Sequence, residues 1–351
     1  MSSNYPYINA RIRAMQSELI TPADLAMLAD GKDADDVARY LAKTAYGPDI
    51  EKGLHLYHGA QGVEEGIRKN VLKKFVQIRD MMDEDGKHMI EVWLRKWEIR
   101  DIKTILRAQH SGVMDSAVVE NLYAVGKLHK SVLAELAKTH DARQLIEMLG
   151  SMRSPYTKVL RAALPQYESS RSLFPLEFAL DRDYYAELER AATELQSSED
   201  QEIVHAWLIN EIHVVNVLLL ARLYHETMPL AQKISFFLPL PKRQSTPYAD
   251  YLNRHSFKEA MMAAAGALKR GAYGEFVAGH VDGSLESLIR GLEKLRIQEQ
   301  ISLFGQDPLS IAIVLAYLYA KHNEGANLRI LVYGLKSGLP KSRIESELVY
   351  A

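Results

Sequence analysis

Cysteine is absent from the 351 residues, which excludes disulfides, iron–sulfur clusters, cysteine zinc sites and thiol nucleophiles. Proline is sparse: the 12 present leave positions 49–154, 176–228 and 248–307 without one. Neither charge sign dominates. Lys plus Arg is 43 against 45 for Asp plus Glu, a net charge of −2 that argues against a whole-surface nucleic-acid binder. Long apolar runs are missing too. The longest, 311–320 (IAIVLAYLYA) and 260–265 (AMMAAA), fall short of the roughly 18 residues a membrane span needs. The opening MSSNYPYINARIR has no apolar stretch, so no signal peptide is expected, and a soluble, reduced compartment follows.

What is present describes a helical globular protein. Hydrophobic residues at 47% and charged residues at 25% match a folded soluble chain. A chain of this length buries roughly 75% of its unfolded surface and folds without staples. The proline-free stretches are rich in Leu, Ala, Glu, Lys, Arg and Met, all good helix formers. In 89–108, Val92, Ile99, Ile102 and Leu106 recur with helical spacing, and in 203–224 apolar residues wrap nearly all round. Thr21-Pro22-Ala23-Asp24 reads as a helix start, and Thr246-Pro247 and Asp307-Pro308 repeat the device. Gly31, Gly112, Gly150 and Gly338 are candidate helix ends. The best strand candidate is Ile234–Leu238, and it is short. The fold class expected is all-α.

Self-comparison reveals a threefold repeat. Glu98, His213 and Glu324 are each followed three residues later by Asp101, Asn216 and Asn327, and then by a largely aliphatic run. The three Asp/Asn positions stand 115 and 111 residues apart, which divides the chain into domains 1–112, 113–228 and 229–351. Val37–Tyr46, Leu145–Tyr156 and Phe257–Tyr273 keep the period approximately. Asp and Asn are poor helix formers, so placing one inside each apolar helix requires a partner. One reading is an interhelical hydrogen bond that fixes packing. The other is a shared concave surface lined by Glu98, Asp101, Lys103, Arg107, His213, Asn216, Arg222, Glu324, Asn327 and Arg329.

Three segments carry a resemblance: Tyr5-Pro-Tyr7 through Arg11-Ile-Arg13, Trp97-Glu98 through Asp101-Ile-Lys103 and Arg107-Ala108, and Asn327-Leu-Arg329 through Gly338-Leu-Pro340 and Glu345. On these the chain resembles the central-stalk subunit of vacuolar-type rotary ATPases, known as C in archaea and bacteria and d in eukaryotes. The resemblance implies three similar helical domains forming a pseudo-threefold funnel. It also implies a non-catalytic role at the cytoplasmic face of a membrane. There the protein seats the central shaft and its small companion on the proteolipid rotor ring of a proton- or sodium-translocating enzyme, and passes torque. His213 stands where the first copy has Glu98, so no role is carried over to it. Independently of the resemblance, positions 233–258 hold five cations against Asp250, which makes Lys242 and Arg243 a candidate contact for an acidic partner or lipid headgroups.

Enzyme signatures are weak by comparison. There is no GxxxxGKS/T loop, and Gly59 through Gly66 reads as a loop entering a helix. No HExxH or GxSxG occurs, and His55 and His58 form a spaced pair without a third ligand. The acidic runs Asp80–Asp85 and Asp33–Asp36 permit an alternative, a magnesium-dependent isoprenoid-type synthase. A generic helical scaffold is the other alternative. No catalytic residue, metal or cofactor is expected on the favoured reading.

Overall fold

The computed structural model describes residues 5–113, 118–119, 122–241, 247–268 and 272–350. The fold is all-α, with no strand among the described residues. The first third holds α1 (Tyr5–Gln16), α2 (Pro22–Leu28), α3 (Ala34–Leu41), α4 (Gly47–Leu56), α5 (Gly59–Met81) and the long α6 (Glu84–Ser111). There follow α7 (Lys130–Ala137), α8 (Ala142–Ser151), α9 (Tyr156–Ser170), α10 (Phe174–Glu194) and the long α11 (Ser198–Leu223). The chain closes with α12 (Leu230–Ile234), α13 (Tyr248–Tyr251), α14 (Phe257–Ala267), α15 (Ala272–His280), α16 (Leu285–Ser302), the long α17 (Ala312–Lys336) and α18 (Lys341–Glu347).

Local chemistry sets these boundaries. Thr21 and Asp24 form a reciprocal capping box at α2, with Pro22 in its first turn. The short helices α3, α8 and α14 open on Asp33, Asp141 and Ser256, whose side chains accept N–H groups of their own first turns. Those three helices contain the beginnings of the segments that keep the period in the sequence. Gly112 and Gly338 end α6 and α17 in the left-handed region, at φ 68° and 65°. Gly150 instead lies within α8.

Several expectations need correcting. Asp307 accepts the N–H of Leu309 in a turn, and α17 starts only at Ala312. Thr246 lies outside the described residues. Ile234 ends α12, and the rest of the strand candidate is turn and coil; Phe236, Phe237 and Leu238 are apolar because they are buried, not because they extend. The Gly59–Gly66 segment is the first two turns of α5. Its glycines admit α4: a Cβ on Gly66 would lie 2.6 Å from the Cα of Ile50. His55 is on α4 and His58 caps α5, so the two do not share a helix face.

Packing divides the chain into two compact units, Met1–Asp83 with Gln196–Ala351, and Glu84–Leu195. In the first, Leu25, Val37, Leu41, Ile50 and Ile67 share a core with Leu328, Leu331 and Val332 of α17, and with Ile344 and Leu348 beyond it. In the second, α6 packs with the helices that follow it, and Trp93, Ile105, Leu145, Leu160, Leu180 and Leu188 are sealed from solvent. Each such side chain contributes about 1.5–3 kcal/mol by leaving water. The packing division at Glu84 therefore falls one long helix earlier than the sequence division at Gly112. Only Ser198–Leu223 is long and apolar enough to cross a membrane among the described residues, and 67% of its most apolar stretch is buried within the protein.

Candidate functional site on three long helices

Each long helix carries a polar stripe with three-residue spacing: Arg95, Glu98 and Asp101 on α6; Asn210, His213 and Asn216 on α11; Lys321, Glu324 and Asn327 on α17. Three residues advance 300° around a helix, so the stripe stays close to one face.

The last member of every stripe grips the backbone 22 residues downstream. Asp101 accepts the N–H groups of Tyr123, at 2.9 Å, and Ala124, at 2.8 Å. Asn216 donates to the carbonyl of Leu238 and accepts its N–H, both at 2.8 Å. Asn327 does the same to Val349, at 2.9 and 3.0 Å. A buried irregular segment leaves peptide groups that must find partners. Here a side chain supplies what a neighbouring strand would otherwise provide. All three residues are buried, Asn216 completely.

The middle member meets a tyrosine hydroxyl. Glu98 accepts from Tyr156, Glu324 accepts from Tyr46, and His213 Nδ1 lies 2.9 Å from the hydroxyl of Tyr248. Glu98 also takes the N–H groups of Lys127 and Leu128, and Glu324 takes that of Ile20. Gly126 makes the Glu98 contact possible. Its φ is 74°, and a Cβ there would stand 2.1 Å from Glu98 Oε1.

The first member is a cation in two of the three copies. The Arg95 guanidinium lies 5.1 Å from the ring centroid of Tyr156, and the Lys321 ammonium lies 4.0 Å from that of Tyr46. Lys321 also pairs with Glu324 at 2.6 Å, with both side chains buried. In the middle copy Asn210 donates instead to Glu299, at 2.9 Å. Burial pushes the ionisation of Tyr46 and Tyr156 well above the ordinary phenol value, and the adjacent carboxylates push it further. Burial also raises Tyr248. It lowers the Lys321 ammonium, against the opposing pull of Glu324.

The stripes offer internal bonding rather than an exposed reactive group, and comparison with known proteins gives them a context. The model of the family described as ATP synthase (C/AC39) subunit matches residues 8–347. The chain belongs to that family. It is 26% identical over 351 residues to the C subunit of the A-type ATP synthase of Methanococcoides burtonii, covering 99% of this chain and 95% of that protein. It is also 26% identical over 363 residues to the C subunit of the V-type ATP synthase of Deinococcus radiodurans, covering 99% and 92%. The similarity to the corresponding A-type protein of Methanosarcina mazei is 26% over 358 residues, covering 99% and 93%.

The other residues singled out in this ATP synthase (C/AC39) family chain fall into distinct settings. Lys103 pairs with Asp181 at 2.5 Å, and Arg107 makes a two-point contact with Glu177 at 2.6 and 2.8 Å, both within the second unit. Arg329 pairs with Glu64 at 2.6 Å, and Glu64 also accepts from Tyr333. Arg222, in the last turn of α11, is exposed. Lys242 and Arg243 lie outside the described residues. The acids Asp33 and Asp36 are absorbed by the turn and first residues of α3. Asp80, near the end of α5, pairs with Arg79, while Glu84 starts the next helix. The acidic run is thus divided between two elements.

Sequence reasoning does not find Arg95, Asn210 or Lys321. A signal exists for Lys321, a lone cation immediately after the run 311–320. Tyr46 and Tyr156 fall in the periodic segments, but their common role as partners of Glu324 and Glu98 is invisible there. The middle copy, that of His213, uses Tyr248 rather than Tyr273, which lies against Glu299 instead.

Proposed function

We propose that this family member is the non-catalytic central-stalk subunit of a vacuolar/archaeal-type rotary ATP synthase or ATPase, translocating protons or sodium. In this reading it lies at the cytoplasmic face of the membrane, peripheral to it. It seats the central shaft and its small companion on the proteolipid rotor ring and carries torque between them. Three similar helical domains would form a pseudo-threefold funnel that receives the shaft.

The observation that carries the reading is a family match running from residue 8 to 347, across all three long helices. The stripes support it mechanically. A torque coupler has to resist shear between helices and the loops that hold them, and close packing alone resists compression better than sliding. A two-point side-chain clamp fixes a loop in register as well as in distance.

Tagged chain recovered from its native membranes in mild detergent, with mass-spectrometric identification of what accompanies it, tests this. Recovery of the catalytic head subunits, the shaft pair and the proteolipid is expected. Recovery of the chain alone, or of partners lacking the proteolipid, overturns the rotor assignment.

A further inference from the structure

Within the second unit, a ladder of ion pairs joins α6 to α10. His88 Nε2 lies 3.5 Å from Glu194, and Arg95 lies 3.3 Å from Asp183 and 3.4 Å from Glu187. Further along, Lys103 lies 2.5 Å from Asp181 and Arg107 lies 2.6 Å from Glu177. Positions rise along α6 as they fall along α10, so the two helices are antiparallel. In every rung the cation stands on α6 and the carboxylate on α10. Three rungs use Arg or Lys, which keep their charge at any ordinary pH. The first uses an imidazole, the side chain that gains or loses its charge between about pH 5 and 8.

That rung also has a special place in the fold. The unit begins at Glu84 and ends at Leu195. His88 stands in the second turn of α6 and Glu194 is the last residue of α10, so this rung ties the entry of the chain into the unit to its exit. Both charges are set against their helix dipoles, an imidazolium near an N-terminus and a carboxylate at a C-terminus. Neither position favours its own helix; what each residue gains there is the other. The remaining charges around His88 are Glu84 and Glu91, one turn to either side on α6, and the adjacent Lys87. On α10, Arg190 is taken by Glu187. Among the described residues no charged side chain of α7, α8 or α9 pairs with His88.

We propose that His88 and Glu194 form a proton-operated latch at the neck of the second unit, closed in mild acid and open above neutrality. Protonated, His88 is attracted to Glu194 and holds the first turns of α6 against the last turn of α10. Neutral, it loses that attraction, and both helix ends fray. A pair this exposed adds little against global unfolding. Helix ends open at far smaller cost than the core, so a modest change in attraction decides how often the neck is closed. This latch does not depend on the rotor reading.

Hydrogen–deuterium exchange of the full chain at about pH 6 and about pH 8 tests this, in low salt and corrected for the intrinsic pH dependence of amide exchange. Opening of segments 86–91 and 190–194 is expected to rise about threefold at the higher pH, the scale of one exposed ion pair. Exchange around Lys103 and Asp181 should stay level. H88Q and E194Q should each abolish the rise. Both substituted side chains are exposed, and unaltered exchange in the core of the unit would confirm that the fold is retained. No rise in the unsubstituted chain, or a rise that survives in either variant, overturns the latch.

Discussion

Asn216 and Leu238 exchange two hydrogen bonds of 2.8 Å, one in each direction, between a side-chain amide and a backbone peptide. Asn327 and Val349 repeat this, whereas Asp101 meets two N–H groups and accepts twice. Residue type thus follows the polarity of the target: a carboxylate where both targets donate, an amide where one donates and one accepts.

The two types should therefore not be interchangeable. Asp101→Asn turns an amide N–H toward a backbone N–H, and Asn216→Asp sets a carboxylate oxygen against the carbonyl of Leu238. Each is expected to cost about 1–3 kcal/mol, the penalty of leaving buried polar groups unmatched. Urea denaturation of the isolated chain reads this directly. Asn216→Leu and Asn327→Leu should be at least as damaging, and unchanged midpoints would show that the clamps do not hold the fold.

Gly126 offers a steric version of the same test. Gly126→Ala combines a left-handed φ of 74° with a Cβ placed 2.1 Å from Glu98 Oε1. Loss of several degrees in melting temperature is expected, on the scale of a strained backbone plus a displaced buried carboxylate. Gly112→Ala shares the positive φ but meets nothing within 4 Å, so it should cost less.

Alkali should unfold the protein through its tyrosines. Tyr46, Tyr156 and Tyr248 have ionisations raised above the reference value of 10.0 by burial. Their stabilisation is complete below that value and is lost as pH rises above it, because the unfolded chain then releases protons that the folded one retains. Lys321 acts in the opposite sense, since burial lowers it from 10.5. With three tyrosines against one lysine, a net fall in urea midpoint above pH 10.0 is expected. Tyr156→Phe should make that fall shallower by about one proton's worth of slope. A midpoint that stays level through that range would contradict the burial of these hydroxyls.

Arg222 is the clearest partner candidate among the ten residues first grouped on the repeat, of which His213 lies against the Tyr248 hydroxyl. Arg222 is exposed on α11, while five of the others are buried and three are paired within their own unit. Arg222→Glu is expected to leave the melting temperature within about 1 °C, as most surface substitutions do. It should reduce recovery of the shaft or ring subunits from membranes severalfold. Full recovery would remove Arg222 from the interface.

Much of the architecture is legible in the residues. Proline spacing and helical periodicity give the all-α class, and the Asp101, Asn216 and Asn327 period locates the three long helices. Their bonding partners are not legible, because a contact 22 residues away across an irregular segment leaves no periodic trace. The glycines of α5 mislead for a related reason. Gly62 and Gly66 look like a loop in one dimension, and only the approach of α4 explains why they are helical. Apolarity misleads at Ile234–Leu238 as well, since burial and extension favour the same side chains.

Both ends of the chain belong to one packing unit, with Glu324 of α17 bonded to the N–H of Ile20 and the hydroxyl of Tyr46. On a ribosome this reverses the usual order of completion. The first 83 residues emerge long before Leu328, Leu331 and Val332, on which their core depends. The segment 84–195, by contrast, has all of its own core once its last helix is made. The portion synthesised first is thus finished last, and until α17 arrives it must wait with its apolar face uncovered.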